Sequence, residues 1–339
     1  MSTAAATAVL LVTLSTQGHW LAGREHAITL QWVREPVPAA LHWQLTHGSV
    51  ELGRGAVVLA GDDAGAAVRL ITPDVRARTT IHWHYQLRSA DDGGLLERGQ
   101  RTINLHPDDI LDNVPHHRDD PLAIVADEDD PLVAVLRDAQ VEHERVDRIE
   151  TLRLGPSHRV IVSAGALKGR MGEEAALRAL VRRGGSVMVL EQQQIDELAG
   201  LRLRTRSATN GLRWRVDHPL LAGFESGELD GIADADGRLR VVELPADVPA
   251  LELGYWPDEA GAATAGPVDA LLVTRTLGRG RVVLVQLPLG PWDADPRSQR
   301  LLANALEYLA APVGPTPSRA ERHEARAHDR RILKSGVEP

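Results

Sequence analysis

Residues 173–190 read EEAALRALVRRGGSVMVL, and this stretch decides the reading of the larger part of the chain. Ala176, Leu177, Leu180 and Val181 recur at helical spacing, so residues 173–183 are predicted to form an amphipathic helix. Glu173 and Glu174 open it and Arg182 and Arg183 close it, the polarity that suits a helix dipole. Gly184-Gly185 stops the helix, and SVMVL follows as an unbroken apolar run. Such a run fits a parallel strand covered on both faces.

Outward from this unit the same rhythm recurs. LAIVA at 122–126 and RVIVS at 159–163 are further buried strands, with a helix expected over 130–140 and a strand at 141–146. Residues 269–274 and 281–287 suggest a hairpin around Leu277-Gly278-Arg279-Gly280, and 296–309 a last helix. The expectation for 121–312 is therefore a doubly wound, mostly parallel α/β sheet of flavodoxin or class I amidotransferase-like type.

Residues 1–107 have a different texture. Short runs such as ITLQWV (28–33), LHWQL (41–45) and TTIHWHYQL (79–87) alternate between turn signals and predict an Ig-like β-sandwich. Trp20, Trp32, Trp43 and Trp83 would fill it. Residues 108–120, rich in Asp and Pro, read as a linker, and 313–339 as a mobile charged tail. Charge follows these borders: net 0 over 1–107, −11 over 108–312 and +2 over 313–339.

Composition excludes several classes of function. The 339 residues contain no Cys, which removes disulfides, thiolate metal sites and a cysteine nucleophile. A net charge of −9 argues against general binding to nucleic-acid backbone. The apolar stretch 4–14 is too short to span a bilayer and has no basic residue before it, so no membrane span or signal peptide is expected and a cytoplasmic location is the default.

Candidate chemistry was sought at the carboxyl ends of the parallel strands, where such sheets bind ligands. Ser163 follows one strand, Asp129 lies just beyond another and Glu191 beyond a third. A serine nucleophile needs a histidine and an acid, and the chain has no G-x-S-x-G elbow. The Gly165–Gly172 loop, GALKGRMG, matches neither common phosphate-loop pattern and reads as a turn. His106 with Asp108-Asp109, and His116-His117 with Asp119-Asp120, lack metal-ligand spacing, so neither a metal nor another cofactor is expected. His82 and His84 share a strand face, about 7 Å apart. Trp256 and Trp292, with Asp293 and Asp295, are candidate sugar contacts, because loop aromatics stack on sugar rings and nearby acids accept hydroxyl hydrogen bonds.

Two groups of motifs carry a resemblance. LAGREHAITL at 21–30 belongs to the first region. LVRRGGSVMVLEQ at 180–192, DHPLLAG at 217–223, GPWDADP at 290–296 and LLANALEYL at 301–309 belong to the second. Over roughly residues 8–312 the chain resembles the C-terminal accessory region of multidomain glycoside hydrolases of the β-galactosidase and β-mannosidase type. There an Ig-like module precedes a class I glutamine amidotransferase-like domain. The resemblance implies an accessory role in carbohydrate processing through binding, scaffolding or assembly. Carbohydrate, a catalytic glycosidase domain or a second copy of the chain are the implied partners. Active amidotransferases of that fold use a Cys-His-Glu triad, which a chain without Cys cannot supply. The competing expectation is a hydrolase with a non-cysteine site at the carboxyl edge of the sheet, using Ser163 or the carboxylates around Asp129 and Glu191.

Overall fold

A computed structural model describes residues 10–33, 36–60, 65–112, 114, 122–152, 159–207, 218–225, 227–229, 238–244, 251–255 and 268–313, with side chains for all of these except 251–255 and 268. The proposed tail from 314 on and most of the proposed linker lie outside the described residues.

The first region is a two-sheet sandwich. Strands β1 (Leu10–Leu14), β3 (Glu25–Trp32) and β6 (Gly65–Ile71) form one antiparallel sheet in the order β1-β3-β6. Strands β2 (His19–Leu21), β8 (Leu95–His106), β7 (Thr79–Ser89), β4 (Ala39–His47) and β5 (Val50–Leu59) form the other, in that order. Only β2, parallel to β8, departs from antiparallel pairing in this sheet. Period-2 alternation explains the packing. On β7, Ile81, Trp83, Tyr85 and Leu87 point into the core, while His82, His84, Gln86 and Arg88 point away. Trp20 and Trp83 are fully buried between the sheets, and Trp32 and Trp43 pack against the same core. Pairing and order define a two-sheet sandwich and nothing finer.

The second region is built on one ten-stranded sheet. Five strands are parallel: β9 (Leu122–Val125), β10 (His143–Val146), β11 (Arg159–Val162), β12 (Ser186–Val189) and β18 (Gly280–Val285), in the order β10-β9-β11-β12-β18. Helices α1 (Pro131–Asp138) and α3 (Pro296–Ala310) pack on one face, and α2 (Glu173–Arg183) on the other. Gly184, at φ +120°, ends α2 as the sequence predicts: its amide bonds to Val181 and that of Gly185 to Leu180.

Here the predicted doubly wound, flavodoxin or amidotransferase-like sheet is corrected. β13 (Glu197–Leu198), β14 (Leu201–Ser207), β15 (Arg238–Leu244), β16 (Leu251–Tyr255) and β17 (Val268–Leu277) extend the sheet antiparallel, so half of it is not wound through crossover helices. The molecule is predominantly β, with large mixed and antiparallel sheets. The physical reason is visible in LRLRTRS at 201–207. It alternates Leu with Arg and buries Leu201 and Leu203 on one face only, the pattern of an antiparallel strand, unlike the continuous apolar runs of β9, β11 and β12. The hairpin around 277–280 does form, between β17 and β18.

Candidate functional site

The carboxyl edge of the parallel strands is cross-linked by hydrogen bonds. Ser163 follows β11 and is 2% exposed. Its amide donates to Val125 O, and its carbonyl accepts from the Gln192 side-chain amide at 2.8 Å. Gln192, fully buried, also donates to Leu190 O and accepts from the Leu167 amide. Its own backbone amide donates to Gln286 Oε1, just after β18. Two glutamines thus tie this edge together beside the Ser163 carbonyl, and among the described residues no histidine hydrogen-bonds to that serine. Glu191 is half-buried and accepts from the Gln193 side chain, and Asp129 is exposed. Lys168 spans from Asp127 (3.3 Å) to Gly165 O (2.9 Å). Of the three candidates at this edge, Ser163 is buried, Glu191 half-buried and Asp129 exposed, and no hydrogen bond joins their side chains among the described residues.

The Gly165–Gly172 loop behaves as a turn. Gly165, Gly169 and Gly172 have positive φ. The Glu173 carboxylate accepts from the amides of Lys168 (3.3 Å) and Arg170 (2.9 Å), so an internal anion already occupies the donors a phosphate would need.

The loop before α3 has a structural role. Trp292 is buried in the core on that face of the sheet, and its ring is not presented to solvent. Asp295 caps α3 by accepting from the Arg297 amide, with Pro296 at the first helical position. It also holds the Arg297 guanidinium at two points, 3.0 and 2.8 Å. Asp293 is exposed, and its carbonyl accepts from Arg24, which also pairs with Asp108 at 2.6 Å. Arg24, Asp108, Asp112, Asp138 and Asp293 line a cleft of about 260 Å³ between the two regions. Trp256, His116, His117 and His158 lie outside the described residues. His218, behind Tyr308, accepts from the Leu220 amide, and burial lowers its pKa to about 4.

An open concavity lies on the sandwich. A groove of about 540 Å³ crosses β4, β7 and β8, within the about 300–1,000 Å³ usual for ligand sites. Register builds its wall in two polar rungs: His42, Gln86 and Arg98 in one, Gln44, His84 and Gln100 in the next. Between them runs the rung Trp43, Tyr85 and Gly99, with the Trp43 and Tyr85 rings on the core side. Two glycines shape this rung by close approach. A Cβ at residue 55 would lie 2.6 Å from the Trp43 ring, and one at residue 99 would lie 2.4 Å from the Tyr85 hydroxyl. Tyr85 is fixed by stacking on Trp83 and by donating to Glu97 at 2.9 Å, and burial pushes its pKa up to about 12. Neighbouring hydrogen bonds set the side chains of the polar face: Thr46 with His84, Gln100 with His82, and Gln44 donating to Glu51. His82 and His84 do share this face, with ring centres 6.2 Å apart.

Sequence reasoning identified His82 and His84 but not the groove. The available signal was the outward set of two alternating runs, 41–45 and 79–87, which is His and Gln rather than the balanced charge of an ordinary solvated face.

No protein-family model matches this sequence, and no curated protein matches it. Solved structures do show partial likeness. A family 76 glycoside hydrolase from a bovine Bacteroides thetaiotaomicron strain is 16% identical over 32% of this chain and 25% of its own, with a TM-score of 0.21. Murine CRIg is 12% identical over 29% of this chain and 98% of its own, also at 0.21. A sialyltransferase from Photobacterium damsela is 10% identical over 51% of this chain and 34% of its own, at 0.18. The chain thus spans about a quarter of the length of that hydrolase. Scores this low do not define a shared fold.

Proposed function

We propose that this chain is a non-catalytic binding protein whose outer sandwich face, across β4, β7 and β8, takes a hydroxyl-rich oligosaccharide in an accessory role to carbohydrate processing. The observation that carries this reading is the groove itself. Six polar side chains stand in two rungs over a rigid Trp43–Tyr85–Gly99 floor, offering imidazole, amide and guanidinium groups at the spacing of neighbouring strands. Such groups exchange hydrogen bonds with hydroxyls with little loss of side-chain freedom when the neighbours already hold them. The competing hydrolase reading is not favoured, because the edge that would house it is cross-linked by Gln192 and Gln286.

Isothermal titration against a panel of neutral and acidic oligosaccharides tests the proposal. Heat with at least one sugar, reduced at least about tenfold in affinity by combined His84→Ala, Arg98→Ala and Gln100→Ala and unchanged by Ser163→Ala, is expected. Absence of heat with every sugar would overturn it.

A second reading, assembly with another copy of the chain, has its own observation. β5 is an edge strand and exposes Val50, Leu52 and Val58, the last 79% accessible. An apolar edge of this kind is a template for strand pairing. Light scattering is expected to show a dimer that Val58→Lys weakens; a monomer at high concentration would remove this reading.

A further inference from the structure

Where the two regions meet, three ligand-type side chains converge from distant parts of the chain. His19 opens β2 and His106 closes β8, its parallel neighbour. Glu228 comes from residues 227–229 of the second region. His19 Nδ1 lies 3.2 Å from His106 Nε2 and 3.7 Å from Glu228 Oε1, and one ligand atom from each residue falls within 4.8 Å of the others. Tetrahedral zinc, with bonds of about 2.0–2.1 Å to nitrogen, sets its donors about 3.3 Å apart. The 3.2 Å and 3.7 Å separations from His19 lie near that value, and the third lies within 4.8 Å.

Hydrogen bonding at this point is incomplete in a specific way. The Glu228 side chain is 2% exposed. Its Oε2 accepts from Arg78 at 3.0 Å and from the Glu225 amide at 2.9 Å, which fixes the carboxylate. Its Oε1, turned toward the two imidazoles, has no hydrogen-bond partner among the described residues. A buried carboxylate oxygen without a partner is costly and calls for something to fill its place.

We propose that His19, His106 and Glu228 bind one divalent transition-metal cation, with zinc the best match to two imidazole nitrogens and one carboxylate oxygen, and that this cation ties the sandwich to the second region. Arg78 and Glu225 hold Glu228 from behind, the orienting role that outer partners play at metal sites. The Arg78 charge beside Glu228 opposes a cation bound by charge alone. The site therefore selects a nitrogen-seeking ion over magnesium or calcium.

Cobalt titration of the full chain, stripped with EDTA and followed by visible absorption, tests this directly. One saturable equivalent with four- or five-coordinate bands, displaced by zinc, is expected. Glu228→Gln and His106→Gln should each abolish the bands, while His82→Gln with His84→Gln leaves them intact. Zinc should raise the melting temperature of the unmodified chain by several degrees and leave that of Glu228→Gln unchanged. Failure of the unmodified chain to take up one equivalent overturns the proposal whether or not the variants fold. So does uptake that survives Glu228→Gln, or that is lost when only His82 and His84 are replaced.

Discussion

The carboxyl edge of β9, β11, β12 and β18 and the outer face of β4, β7 and β8 carry similar polar side chains to opposite ends. At the edge, the Gln192 side chain turns inward and satisfies the backbone groups of Ser163, Leu167 and Leu190, and Gln286 accepts from the Gln192 amide. On the face, Gln44, Gln86 and Gln100 stand beside His42 and His84 around an open groove. The difference teaches where a ligand can be met. Polar atoms that complete one another inside a fold are structural, and polar atoms held in place around a cavity are available for binding. The junction of the two regions is intermediate: Arg297 and Asp295 complete one another, while Glu228 Oε1 finds no hydrogen-bond partner among the described residues.

This contrast can be broken experimentally, beginning with the buried charge. Arg297→Ala leaves Asp295 buried without its guanidinium and removes the bonds to Gln17 and Glu228 O. Chemical denaturation is expected to show a loss of about 3–5 kcal/mol. A loss below about 1 kcal/mol would mean the pair does not hold the junction.

Gln192→Leu comes next. It strands the Leu167 amide and the Ser163 and Leu190 carbonyls in the sheet edge, and should cost about 2–4 kcal/mol by the same measurement. A neutral outcome would mean water enters the edge, and would reopen the hydrolase reading.

The third expectation concerns pH. Burial, the largest cause, lowers His19 to about 4 and His106 to about 3, with Arg297 and Arg78 adding to the effect at His19 and His19, Arg300, Arg78 and Arg297 adding to it at His106. Asp295 opposes the shift at His19. In the unfolded chain both histidines titrate near 6.5. As pH falls from about 6.5 toward 3–4, the unfolded chain therefore binds protons that the folded one refuses. Stability contributed by the neutral pair is full above pH 6.5 and is lost across that window, by at least about 2 kcal/mol. The 3.7 Å approach of His19 to Glu228 is accordingly not an ion pair at neutral pH. Denaturation midpoints that stay flat from pH 7 to 4.5 would contradict this burial.

The smallest stability effect belongs to the groove. His84→Ala and Gln100→Ala on the open face should each change stability by no more than about 0.5 kcal/mol while weakening ligand binding.

Much of the fold was legible in local pattern. The helix over 173–183, its Gly184 stop, the four fully buried residues of β12 and the 277–280 hairpin follow from spacing alone. The antiparallel half of the second sheet was misread because the parallel strands before it were extrapolated forward, although the Leu-Arg alternation of β14 already signalled one solvated face. Trp292 was read as a ligand contact because it lies in a Pro- and Asp-rich loop; the cap that Asp295 places on α3 turns that loop onto the core. The junction was not legible at all. His19 and His106 are 87 residues apart, and their meeting with Glu228 depends on how the two regions pack.

The central claim, that ligand meets the sandwich face and not the sheet edge, is tested most directly by NMR of ring-labelled histidines in the full chain during titration with an oligosaccharide that gives binding heat. His42 and His84 resonances, assigned by substitution, are expected to move with saturable dependence while His218 and His106 stay fixed. Saturable binding that leaves His42 and His84 unmoved, or that Gln192→Leu alone abolishes while the chain remains folded, would contradict the account.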